Sequence, residues 1–522
     1  MKFERAAGIL LHPTSLPGRY GVGDLGVEAY QFVDWLASAE VRLWQILPLG
    51  PTGYGDSPYQ CFSAFAGNPI MISPDYLAKQ NLLAQWDLAA LPQFAADQVD
   101  FGTVIAAKMA LLRQAFINFA AQGDNQSFAD FCTKEQHWLD DYALFMACKA
   151  AHGGVSWVDW ESAIALHEPA AVAEWREKLA DDVRFQQFLQ WTFWTQWSEL
   201  KAYANAHDIK IIGDAPIFVA HDSADVWGNR DLFLLDDAGN PLDVAGVPPD
   251  YFSATGQRWG NPLYDWDVLA KQDFAWWRER IVNTLRGVDI LRLDHFRGFA
   301  GYWAVPGSEE TAVKGEWRQA PGAALFRSLR RAMGELPLIA EDLGMITPDV
   351  ERLRDTFAFP GMRILQFAFT SRASKSAFLP HNYVPNSVAY SGSHDNDTSR
   401  GWYTSAAPEE QHRARHYLHT DEAEIVWTMI RTMYASVADT VIIPMQDALD
   451  LGSEARMNKP GQLGGNWAWR VLPEQLSPTL AHSLADLAHT YGRTAVAEED
   501  APIDPDAPRY FALTEDDLNY EI

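Results

Sequence analysis

Eight short apolar runs recur along the chain, and most of them end just short of a polar residue. Residues 7–11 precede His12, 41–47 precede Pro48, 209–212 lead to Asp214, and 288–293 precede Asp294. The others are 338–340 before Glu341, 362–369, 388–390 leading to His394, and 440–444 leading to Gln446. Ile, Val and Leu fill both faces of most runs, the pattern of a parallel strand covered on both sides. Patterns of helical period fall between the runs, at 26–39, 188–206, 273–286, 324–333, 347–357 and 422–435. Thr347-Pro348, followed by Asp349 and Glu351, reads as one helix start. Buried strands alternating with helices predict an α/β fold, a (β/α)8 TIM barrel spanning residues 1–522 as one catalytic unit. Chemistry in such a barrel collects at the C-terminal ends of the strands, where these polar residues stand.

Uneven spacing locates the insertions. From about residue 48 to 208 the pattern is mainly helical and predicts an inserted helical subdomain. From about 220 to 273, turn signals such as Asp237-Ala238-Gly239-Asn240-Pro241 predict a loop-rich subdomain. Loops this long in a compact protein usually carry function. Toward the end, Ser477-Pro478 and Gly492 bracket one more helical pattern, and no run of short alternating strands predicts a C-terminal β-sandwich. The acidic stretch 498–506, broken by Pro502 and Pro505, reads as a solvated loop and not as a calcium loop.

Charge narrows the partners. The 41 Lys and Arg face 69 Asp and Glu, a net charge of −28, which repels nucleic acid and an anionic membrane surface. A neutral substrate needs no such field. The 21 Trp, 18 Tyr and 27 Phe fit either a well-packed large core or a groove of flat platforms on which sugar rings stack. Cys61, Cys132 and Cys148 make an odd set of 3 without CxxC spacing, so neither a disulfide framework nor a thiolate zinc site is expected. The first residues hold too short an apolar core for a signal peptide, and no unbroken apolar run of membrane length occurs, so a cytoplasmic protein is expected.

Three constellations carry the chemistry. In LRLDHFRGF, Arg292 and Asp294 stand two apart on a strand and project to one face. A guanidinium there favours an ionised carboxylate, which suits a nucleophile, although a structural ion pair at a barrel rim would look the same. In LPLIAEDLG, Glu341 is the first polar residue after an apolar strand. Apolar neighbours raise a carboxyl pKa, as a general acid requires, but a helix-capping carboxylate would show the same pattern. Asp342 points to the opposite side. In SGSHDNDTSR, His394, Asp395 and Asp397 crowd one loop after a strand, with His394 placed to donate to a substrate hydroxyl. No second histidine at ligand spacing and no HExxH accompanies it, so no metal is expected. Nor is there a dinucleotide fingerprint, a P-loop or a GxSxG elbow, so no cofactor is expected either. Three carboxylates converging from three strand ends fit glycoside chemistry, in which one is nucleophile and another acid/base.

These segments, with HPTSLPGRYGVGDLG (12–26), GDSPYQ…SAFAGNP (55–69), GDAPIFVAHDSADVW (213–227), GVPPDYFSATGQRWGNPLYDW (246–266) and ARMNKPG…NWAWR (455–470), run in order along the chain. The sequence resembles the 4-α-glucanotransferases, or amylomaltases, of glycoside hydrolase family 77. That resemblance implies retaining transfer of α-1,4-glucan segments to the 4-OH of another glucan or of glucose. It implies Asp294 as nucleophile, Glu341 as acid/base and Asp395 as transition-state stabiliser. Ser57, Tyr59, Asp214, Arg292 and His394 match supporting positions, with Tyr59 beside the donor sugar. By the same resemblance, Trp259 lies in an acceptor-side loop within 220–273, and Asn458, Pro460 and Gly461 belong to a loop closing from the other side. Cys61-Phe62 stands where Ser followed by Pro or Leu is more usual, and Lys459 where a neutral residue is commoner. The alternatives are a hydrolytic α-glucanase of the α-amylase type, which usually carries a C-terminal antiparallel β domain, and a non-catalytic glucan-binding protein.

Overall fold

The computed structural model describes residues 3–494 except 124, 250–252, 372 and 463. The stretch 498–506 therefore lies outside the described residues, as do Asp250–Phe252 of the GVPPDYFSATG segment.

In chain order the strands are β1 (Ala6–Leu10), β2 (Leu43–Gln45), β3 (Lys210–Pro216), β4 (Asp243–Val247), β5 (Gln257–Pro262) and β6 (Ile290–Asp294). They continue with β7 (Gly301–Pro306), β8 (Glu316–Gln319), β9 (Leu338–Ala340), β10 (Gly361–Ile364), β11 (Ser387–Tyr390) and β12 (Thr440–Pro444). Eight of them close a barrel in the order β1-β12-β11-β10-β9-β6-β3-β2, with every pair parallel. Each of the eight apolar runs supplies one barrel strand, so the expected fold is the observed one. The run 362–369 is shared. Its first half is strand, whereas Leu365–Phe369 winds into a 3-10 turn, because a short apolar run does not by itself distinguish strand from buried helix.

Between β2 and β3 the described chain is mainly helical, with Phe101–Ala121, Gln126–Ala151 and Ala180–Ala206 the longest elements. The last begins earlier than its apolar pattern, at a first turn carrying Asp181 and Asp182 where the helix dipole favours anions. Phe101–Ala121 is long and apolar enough by composition to cross a membrane. It nevertheless carries Lys108, buried 3.4 Å from Asp24, and packs Leu112, Ala115 and Phe119 into the core.

The stretch 220–273 departs from the loop-rich expectation. β4 and β5 pair antiparallel there, and β7 and β8, which follow β6, complete a four-stranded sheet in the order β5-β4-β7-β8. β5 (QRWGNP) ends in Gly, Asn and Pro, and β8 (EWRQ) is charged, so neither has the composition of a strand. Pairing with β4 and β7, backed by Val244, Val305 and Ala312, holds them extended. The tryptophans divide between core and cleft. Trp44, Trp157, Trp197, Trp227 and Trp277 are fully buried, whereas Trp259 and Trp467 line a cleft at the strand ends.

Candidate active site

Register builds the site. β3 and β6 pair so that Asp214 lies beside Arg292, and β6 pairs β9 so that Leu293 lies beside Ala340. Glu341, the residue after β9, therefore emerges next to Asp294, the last residue of β6. The loop after β11 brings in His394 and Asp395.

Arg292 is buried and stands between two carboxylates. Its Nη1 lies 2.6 Å from Asp214 Oδ2 and 2.9 Å from Asp294 Oδ1. Burial works against its charge, but Asp214 and then Asp294 more than offset it, and the guanidinium stays protonated well beyond its ordinary range. Burial raises Asp214 toward about 7. Tyr59 donates its hydroxyl to Asp214 Oδ2 at 2.8 Å, and the same oxygen lies 2.9 Å from His394 Nε2. Because burial, then the charge of Asp214, hold the phenol protonated, its one proton goes to Asp214 and His394 Nε2–H donates to Tyr59. The two rings stack, with centroids 5.2 Å apart and planes 13° apart. Burial also lowers the His394 pKa, which favours a neutral ring.

Glu341 is held by backbone. Its Oε2 accepts from the His295 N–H at 2.7 Å and its Oε1 from the Leu343 N–H at 3.0 Å. Burial, then the negative charge of Asp294, raises its pKa well above the carboxylate range, against the opposing pull of Arg292 and these two donors. A carboxyl so placed carries a proton to give. Asp342 does point away: it accepts from the Met362 N–H at 2.7 Å and pairs with Arg354 and Arg363. Asp395 receives the Asn458 amide at Oδ1, 2.6 Å away, and Arg456 fixes the loop by donating to the Asp395 carbonyl at 2.7 Å. Asp397, two residues on, is spent on the loop itself, accepting from the Thr398 N–H and the Ser453 hydroxyl, each at 2.8 Å.

Tyr59, Asp294, His394, Asp395 and Asn458 line a cleft of about 850 Å³. Ser57 and Trp259 line it as well. Lys459, Pro460 and Gly461, next to Asn458 in sequence, also line it. Every residue given a catalytic or substrate-binding role from the sequence lines this cleft or directly contacts a residue that lines it. Cys61 lies off the cleft, its thiol turned to the Pro58 carbonyl at 2.9 Å. Sequence reasoning passed over His295, Trp467 and Arg456. His295 sits inside a quoted motif, but only the fold shows its backbone turned to Glu341. Among the described residues no three His, Cys, Asp or Glu side chains are grouped as a metal ion needs.

The glycoside hydrolase family 77 model, described as 4-alpha-glucanotransferase, matches residues 11–475. The chain belongs to this family. A 4-alpha-glucanotransferase of Synechocystis is 51% identical over 497 residues, covering 94% of this chain and 98% of the relative. One of Thermus thermophilus is 50% identical over 504 residues, covering 94% and 100%. Among solved structures, the amylomaltase of Streptococcus agalactiae in complex with acarbose superposes with a TM-score of 0.92. It is 42% identical, and the match covers 94% of this chain and all of that one.

Proposed function

We propose that this family 77 chain transfers α-1,4-glucan segments by a retaining double displacement, with Asp294 as nucleophile, Glu341 as acid/base and Asp395 as stabiliser of the developing positive charge. Glucan transglycosylation is the activity that accompanies membership of the family and identity of about half to relatives of that name. One observation supports the residue roles above all. Asp294 and Glu341 come from neighbouring strands into unlike surroundings, the first facing Arg292 and the second buried and proton-holding. Unlike surroundings are what divide two carboxyls into nucleophile and acid.

In the first step, Asp294 attacks the anomeric carbon while Glu341 gives its proton to the departing 4-oxygen. A covalent glucosyl ester forms and the shortened glucan leaves as an alcohol. In the second, Glu341 takes the proton from an acceptor 4-OH, whose oxygen displaces Asp294. The donor and acceptor are α-1,4-glucans, and glucose also serves as acceptor. No metal or cofactor enters either step. In this reading Trp259, which lines the cleft, offers the acceptor a flat face, and the loop carrying Asn458, Pro460 and Gly461 limits the approach of water. The three cysteines, all free, support a cytoplasmic location.

The hydrolase reading is not favoured. The matching family model and the relatives at 50–51% identity all carry the transferase description. Incubation with maltotriose decides between the two. Longer glucans together with glucose mark transfer, and maltose with glucose alone would mark hydrolysis.

A further inference from the structure

His295 follows Asp294 directly and adopts a left-handed backbone, φ 52° and ψ 50°. Gly and Asn visit this region readily, and β-branched residues almost never do. The turn aims the His295 N–H at Glu341 Oε2, 2.7 Å away, and the next N–H, that of Phe296, at the Glu341 carbonyl, 3.1 Å away. With Leu343 N–H on Oε1, both carboxyl oxygens are fixed by backbone donors. The imidazole has a separate contact. It meets Trp259 edge to face, with centroids 4.8 Å apart and planes at 86°, and both rings line the cleft. Gly298 makes room for it: a Cβ there would stand 3.1 Å from His295 Cδ2 and 2.8 Å from Ile217 Cδ1.

We propose that His295 is a positioning residue with two separable roles, its left-handed backbone setting the Glu341 carboxyl and its ring setting Trp259. This rests on the roles given above to Glu341 and Trp259. The backbone role needs no imidazole, and the ring role needs no particular φ. Burial pushes the ring pKa down to about 4, so the imidazole is neutral at neutral pH and adds no charge beside Asp294 and Glu341.

Two donors separate the roles. Cleavage of maltotriose expels a sugar alcohol and needs the proton of Glu341, whereas maltosyl fluoride expels fluoride and does not. His295→Gly and His295→Asn keep the left-handed backbone and remove the ring. Both are expected to leave the maltotriose-to-fluoride rate ratio within about twofold of the parent and to lower the transfer-to-hydrolysis ratio. His295→Val disfavours the left-handed turn. It is expected to lower maltotriose cleavage by up to about 10²-fold more than fluoride cleavage, the lower end of what general acid catalysis contributes. His295→Ala resists the turn less, gives the same selectivity in smaller degree, and stands in if the valine chain does not fold. A Gly or Asn variant that loses maltotriose cleavage selectively, or keeps the parental transfer ratio, overturns the proposal. Glu341→Gln, assayed alongside, must itself be selective for the fluoride donor. If it is not, the role of Glu341 falls and this inference with it. If it is selective while neither the valine nor the alanine chain is, the backbone role of His295 alone is overturned.

Discussion

Arg292 Nη1 lies 2.9 Å from Asp294 Oδ1, and the two residues stand two apart on one barrel strand. The alternation of a strand puts both side chains on one face, and barrel closure puts Asp214 of the next strand on the far side of the same guanidinium, 2.6 Å away. One buried cation thus holds Asp294 and compensates two carboxylates at once.

Arg292→Met is expected to abolish transfer and to destabilise the fold by about 3–5 kcal/mol, because it leaves buried Asp214 without its cation. Arg292→Lys keeps the charge but loses the planar fork, so stability should suffer less than transfer does. Urea unfolding and maltotriose turnover measure the two effects. A methionine variant within about 1 kcal/mol of the parent would show that the pair is not a compensating one.

Trp259→Ala tests the proposed acceptor platform, a stacking face worth about 1–3 kcal/mol by analogy with other rings stacked on aromatics. Bulk water outcompetes dilute sugar unless the acceptor is oriented, and effective molarities on the order of 10⁵ M reverse that ratio. Transfer should therefore fall more than hydrolysis. The readout is reducing ends released against sugar transferred, and an unchanged ratio with both rates lowered would move Trp259 out of the acceptor site.

Acid should weaken the fold through His12. It is 6% exposed, its Nδ1 accepts from the Leu47 N–H at 3.3 Å, and burial holds its pKa down to about 3. The unfolded chain takes up a proton as pH falls through about 6.5, and the folded chain does not. Stability is thus intact above that pH and lost between about 6.5 and 3, by at most about 1.4 kcal/mol per pH unit. Denaturation midpoints across this window should show a shallower decline in His12→Asn than in the parent. Parallel declines would assign the acid sensitivity elsewhere.

The barrel was legible because its strands are apolar on both faces, a signal that survives in runs as short as Leu338–Ala340. The sheet of β4, β5, β7 and β8 was not, since Gly, Asn, Pro and charged residues hold extended geometry there through pairing across a long stretch of chain. The three carboxylates could be read as strand-end polar residues. The path from Tyr59 to Asp214 and His394 joins three distant segments and has no local trace, and the turn of His295 toward Glu341 depends on backbone that side-chain chemistry does not report.

The most direct test of the mechanism is to trap the intermediate. In Glu341→Gln, maltosyl fluoride should load the nucleophile without a proton donor, and the product cannot be displaced efficiently without the base. Proteolysis and mass analysis should then find a maltosyl ester on the peptide that holds Asp294, and Asp294→Ala in the same background should abolish it. An adduct on Asp395, or product of inverted configuration with no adduct on any carboxylate, would contradict the double displacement through Asp294.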